Sequence, residues 1–269
     1  MDVIINANLP VAPENSQPLI QPGNFYQQIL SCLGYVADSP PVADLLRLYH
    51  GLEGKWLIAS PMYWQATHND AMIVACGDEL ELSDETSRSL FAIFAEFIAA
   101  DTMHAYYHNA TTWLLNCDAK PTLTAIPVNS LLQQSLMPQL QKLDPTFFWQ
   151  RFFTECQMLF NANQYSRNQP DNPINGLWFW GQGVLDPIEL MPLISDDCTV
   201  ALASILSTNV QVYQPAQRYA KNSVFIFNEL PADELQHLQT QLQQFTVRWH
   251  WNNLAYTSKP ASWLSRIWR

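Results

Sequence analysis

The apolar positions of the chain switch repeatedly between a spacing near two and a spacing near 3.6, and that alternation lays out the elements. Val3 to Ile5 is a short apolar run that reads as a strand. Pro10, Pro13, Pro18 and Pro22 then interrupt residues 10–23, where a helix would lose N–H donors and clash with the proline rings, so this stretch reads as a loop. Helical spacing follows over Phe25 to Leu33 and over Val42 to Tyr49, the second start marked by Pro40-Pro41. Trp56 to Ser60 and Ala71 to Cys76 are β-rich and flank the polar segment Gln65 to Asp70, as neighbouring strands do.

Ser83, with Asp84 and Glu85 after it, is a helix cap with favourable first-turn charge, and Leu90, Phe91, Phe94, Phe97 and Ile98 then share a face. Thr112 to Cys117 reads as a strand, with Met103 to Tyr107 as its partner. Asn129 to Leu143 has helical spacing that Pro138 must end or kink. Asp144-Pro145 caps a segment, Phe147 to Phe160, that is apolar around most of a helix, and the polar run Asn161 to Asn175 stops it. Leu177 to Trp180 is a strand ending in Gly181-Gln182-Gly183. Thr199 to Ile205 is a buried segment of either type, and Val224 to Phe227 is a strand. Leu235, Leu238, Leu242 and Phe245 define an amphipathic helix with a glutamine-rich outer face. Thr246 to Trp251 is a last strand before an aromatic tail, Trp263 to Trp268. Strands interspersed with helices predict an α/β protein with a mixed, mostly parallel sheet and helices on both faces.

Composition sharpens this picture. The chain has 269 residues, expected to form one α/β domain over 1–269. Only 14% of residues are charged, so the surface must be polar through Asn and Gln instead. The net charge of −11, with no Lys/Arg cluster, provides no phosphate-backbone footprint and no attraction to an anionic membrane; neither nucleic acid nor membrane is an expected partner. Cys32, Cys76, Cys117, Cys156 and Cys198 are odd in number and far apart, which fits reduced thiols. The first ten residues lack a basic and apolar leader, and no apolar run approaches the length of a membrane span, so a cytoplasmic location is expected.

Catalytic motifs are absent. There is no G-x-S-x-G elbow and no Walker loop. Gly181-Gln182-Gly183 is a fragment of a dinucleotide fingerprint, but Pro187 stands where the phosphate-binding helix should begin. His104 and His108 are four apart, yet their segment is not helical and reads as strand or turn; His68 reads as loop. No metal set and no cofactor are expected. The cluster that stands out runs from Glu155 to Gly183. Glu155 and Gln157 lie in an apolar helix, where a buried carboxylate needs a partner, with Arg167 nearest. Asn175 can tie the next loop to backbone. Trp178 and Trp180 should share one sheet face and Phe179 the other. Gly181, Gln182 and Gly183 bring backbone close to something. These nine positions, Glu155, Gln157, Arg167, Asn175, Trp178, Trp180, Gly181, Gln182 and Gly183, are either a ligand-binding surface or one structural corner.

The same residues, Glu155-Cys156-Gln157-Met158-Leu159, Arg167 and Pro173 to Gly183, resemble a family of uncharacterised bacterial proteins. These are described as RpfE-type regulatory proteins or cofactor-independent phosphoglycerate mutases, with a pattern similar to E-x-Q-M-L followed by N-S-L-W-x-W-G-x-G. Ala59-Ser60-Pro61, His68-Asn69-Asp70 and the Ser83 helix extend the resemblance to roughly residues 55–185. The chain departs from the pattern at Gly176, where serine is usual, and at Asn161 and Asn163, where histidine is expected. The resemblance implies a reduced alkaline-phosphatase-like fold. Enzymes of that superfamily need a serine nucleophile and two divalent metals held by Asp and His, and no Asp-Gly pair follows the first strand here. The expected function is therefore a non-catalytic, mutase-like protein that binds a small ligand or protein near the Trp180 turn. The alternative is a metal-dependent phosphoglycerate mutase or phosphatase.

Overall fold

The computed structural model describes residues 1–260 except 15, 21–22, 67, 69, 163–172, 187 and 189–190. Arg167 and the aromatic tail lie outside the described residues. The chain gathers into two compact units: Met1–Ala37 with Leu185–Arg269, and Asp38–Val184.

The first unit opens with β1 (Asp2–Ile5), β2 (Gln17–Leu19) and α1 (Phe25–Cys32). The stretch expected to be only loop therefore holds a strand. Its Pro18 is tolerated because β2 is an edge strand, paired on one side with a later segment. Asn24 caps α1 reciprocally with Gln27.

The second unit follows. It contains α2 (Val42–Tyr49), β3 (Trp56–Ala66), β4 (Ala71–Cys76), α3 (Asp84–Ala99), β5 (Ala105–Asn109), β6 (Thr112–Asn116), a helical turn α4 (Met137–Leu140), α5 (Phe148–Ala162) and β7 (Gly176–Trp180). Every pairing in its sheet is antiparallel, with β3 bonded to β4, β6 and β7. Ser83 caps α3 through Thr86 as its sequence suggests. The helix expected over Asn129 to Leu143 is broken up. Gln133 and Leu136 donate to the backbone of Ile73 and Ala71, drawing this segment along the edge of β4, and helix resumes only where Pro138 can occupy a first-turn position. The core is aromatic: Phe94 of α3 stacks on Trp113 of β6, and Phe152 of α5 packs 5.2 Å from Phe179 of β7.

The chain then completes the first unit with β8 (Leu193–Ser195), α6 (Val200–Leu206), β9 (Val210–Val212), β10 (Val224–Phe227), α7 (Ala232–Leu242), β11 (Val247–His250) and β12 (Ala255–Ser258). The segment Thr199 to Ile205, open to either type in sequence, is the helix α6. The strand order is β2-β12-β11-β1-β10-β8-β9. β8 to β11 run parallel with β1, and β12 alone runs against them, pairing antiparallel with both β11 and β2, so the sheet is mixed and mostly parallel as expected. Val3, Ile5, Phe225, Phe227, Val247 and Trp249 pack on one face with Leu238 and Leu242 of α7. The alternate residues Asp2 and His250 meet Cys32 of α1, which places helices on both faces. No helix among the described residues is long and apolar enough to cross a membrane, and the five cysteines are unpaired.

Candidate functional site

Most residues singled out in sequence converge on β7 and its neighbours. Trp178 and Trp180 share one face of β7 and Phe179 takes the other, as the alternation requires. The indoles are buried, and each finds a partner: Trp178 Nε1 donates to Ile126 O at 2.9 Å and Trp180 Nε1 to Ser60 Oγ at 2.9 Å. Asn175 repairs a register shift in β3 between Tyr63 and Trp64. Its Oδ1 accepts from Trp64 N and its Nδ2 donates to Trp64 O, closing a ladder that the bulge leaves open. Gly181 sits at φ +81 with its carbonyl accepting from Ala43 N at the start of α2, and a Cβ there would come within 2.9 Å of Ile58 Cγ1. Gln182 Nε2 donates to Ala125 O. These residues make a close-packed corner between β7, β3 and α2.

Glu155 corrects the sequence reading: it is exposed, not buried. The buried stripe of α5 is Trp149, Phe152, Phe153, Cys156 and Phe160, and Glu155 falls roughly 115° round the helix from its centre. The expected ion pair with Arg167 involves a residue outside the described set.

Gln157 leads to a different surface, the outer side of α5. There an open groove of about 580 Å³ is lined by Trp64, His68, Asp70, Gln150, Phe153 and Gln157 among others. Trp64 and Phe153 are 5.6 Å apart, and Phe153 in turn packs on Trp178, so the groove lies just in front of the β7 corner. No lysine or arginine is among the described lining residues. Two buried polar atoms on lining residues, Gln150 Oε1 and Trp64 Nε1, lack hydrogen-bond partners among the described residues. Gly176, the departure from the family pattern, seats this indole, because a Cβ there would stand 3.1 Å from Trp64 Nε1.

His108 does not act with His104. It bonds His50 instead, at 2.8 Å, and Tyr106 Oη lies 3.2 Å from the other ring nitrogen of His50. Nothing in the local pattern around Tyr49 marks His50 as its partner, because the pair is 58 residues apart.

In the first unit, the carboxyl ends of the parallel strands are where open α/β sheets usually hold ligands. Here that edge carries amides: Asn6 Nδ2 donates to Asn228 Oδ1, and Asn252 Nδ2 donates to Asn6 Oδ1. Asp196 at the end of β8 accepts from Thr199 N and Oγ1 and from Asn228 N.

No protein-family model matches the sequence, and no curated protein matches it. Among solved structures, the fold is similar to a cofactor-independent phosphoglycerate mutase from Thermoplasma acidophilum DSM 1728. The identity is 11% and the TM-score 0.35, over 96% of this chain and 89% of that one. At that score the similarity carries no argument about chemistry. Among the described residues one group of three His, Cys, Asp or Glu side chains converges, Asp2 with Cys32 and His250, and the carboxyl edge carries Asn6, Asn228 and Asn252 beside Asp196.

Proposed function

We propose that this chain is a non-catalytic, mutase-like protein of the RpfE type that binds a small, uncharged ligand in the groove over Trp64 and Phe153. The observation that carries this reading is the groove's lining: aromatic and aliphatic walls, amide and hydroxyl groups beside His68 and Asp70, and no lysine or arginine among its described residues. A phosphoryl ligand needs cationic or clustered N–H donors, whereas a flat, neutral ligand with amide-like edges matches Trp64, Phe153, Gln150 and Gln157. The Asn175 to Gly183 corner then serves as the rigid backing for the groove.

The experiment screens neutral aromatic amides by ligand-observed NMR against the wild-type chain and Gln157→Ala. Binding that weakens roughly 5–10-fold in the variant, with unchanged thermal stability, supports the reading; one lost hydrogen bond is worth about 1 kcal/mol. Turnover of phosphoglycerate with added Mn²⁺ would replace it with the metal-dependent mutase or phosphatase.

A further inference from the structure

The parallel register of β1 and β11 pairs Asp2 with Arg248 and Ile4 with His250, so Asp2 and His250 emerge on the same face of the sheet. α1 crosses that face and delivers Cys32 beside them. We propose that Asp2, Cys32 and His250 form a binding site for one zinc-class divalent cation, separate from the groove of the second unit.

The geometry fits. His250 Nε2 lies 3.2 Å from Asp2 Oδ1 and 3.5 Å from Cys32 Sγ, and the three ligand atoms all fall within 4.8 Å of one another. Tetrahedral zinc bonds of about 2.0–2.1 Å to nitrogen, about 2.0–2.2 Å to oxygen and about 2.3 Å to sulfur generate edges of about 3.3 Å for N···O and about 3.5 Å for S···N. Two of the three edges thus already match, and the third, sulfur to oxygen, lies within 4.8 Å where zinc needs about 3.6 Å. The donor set is also selective. A thiol, an imidazole and a carboxylate suit zinc-class ions, whereas magnesium and calcium prefer oxygen alone.

The surroundings prepare the ligands. Asp2 and His250 side chains are 8% exposed. Arg248 holds the carboxylate through Nη2 to Oδ2 at 2.7 Å and Nε to Oδ1 at 2.6 Å, the outer support that fixes a ligating group in place. Without a cation the Cys32 thiol carries its proton, as an ordinary thiol does near neutral pH. Binding replaces that proton: the Sγ–H bond breaks, a metal–sulfur bond forms, and one proton leaves to solvent. The thiolate and the Arg248-paired carboxylate each bring one negative charge to the cation. Three protein ligands leave a fourth position for water.

The test uses the full chain, reduced and stripped with chelator, titrated with Co²⁺ by absorption and with Zn²⁺ by calorimetry in two buffers of different ionisation enthalpy. One equivalent should bind with the intense visible bands of tetrahedral cobalt and a near-ultraviolet thiolate band, zinc should displace the cobalt, and about one proton should be released. Cys32→Ser should abolish the thiolate band and weaken zinc at least tenfold. Cys198→Ser, which removes an exposed thiol, should change neither. Should Cys32→Ser fail to fold, the Cys198→Ser spectrum decides alone: the thiolate band at one equivalent supports the site. No saturable binding, a weak octahedral spectrum, or a band that survives in folded Cys32→Ser or vanishes in Cys198→Ser overturns it.

Discussion

The His108 imidazole is pushed down to a pKa of about 4, first by burial and then by the nearby His50. A base whose folded pKa lies below its unfolded value of 6.5 binds fewer protons when folded. Its contribution is complete above about pH 6.5 and is lost as pH falls from there towards 4. His50, lowered by burial, acts in the same direction. The buried carboxyl of Asp2 is pushed up by burial, but hydrogen bonds from His250 and Arg248 outweigh this and hold it below the ordinary carboxylate range, so its contribution is lost only at lower pH. Urea unfolding at pH 7, 5.5 and 4.5 should show a loss on the order of 1–3 kcal/mol, and His108→Asn should flatten the slope. Gly181→Ala should cost about 2 kcal/mol, since alanine meets both the positive φ and Ile58. Glu155→Gln should stay within about 0.5 kcal/mol, as exposed positions do.

At the scale of elements, Asp144 shows what local sequence can reveal. It was legible as a cap, and its carboxylate accepts from Thr146 N, Phe148 N and Trp149 N ahead of and within the first turn of α5. Asp144→Ala should lower stability by about 1–2 kcal/mol in thermal or denaturant unfolding. The same helix shows why Glu155 is exposed despite its apolar neighbours: only the stripe Trp149, Phe152, Phe153, Cys156 and Phe160 faces the core. Phe148 and Met158 enlarge the apolar count without joining the buried stripe, and Met158 is 68% exposed. The groove was half legible. Gln157 belonged to the cluster picked out in sequence, whereas Trp64 is 93 positions earlier in the chain and joins it only through β3 and β7. Gly176 is informative in retrospect. Gly176→Ala should press on the Trp64 indole and weaken binding in the groove with little change in secondary structure, measurable by the same NMR screen and circular dichroism.

For the whole molecule, the apolar runs of β1, β7 and β10 and the alternation of β11 were legible, whereas β8, β9, β12 and β2 were not. Each of these is only three or four residues long, and β2 contains a proline that argues against a strand until its edge position is known. Strand order is a long-range property that no window of sequence contains. Its centre is β1, whose two neighbours β10 and β11 both come from the last quarter of the chain. Phe225, buried beside Val3 on the α7 face, should reveal this dependence: Phe225→Ala should cost about 3–5 kcal/mol.

The placement of β1 also sets a clock for synthesis. Ile5 pairs with Phe227, so its strand remains without a neighbour until 222 more residues have been added. At about 5–20 residues per second, that interval is roughly 10–45 s. Through it, an apolar strand with open edges is exposed while the antiparallel sheet of residues 38–184 has all its own strands in hand. The nascent chain thus has a long period of vulnerability at β1, and a holdase that covers emerging apolar segments should raise its soluble yield more than one acting after release.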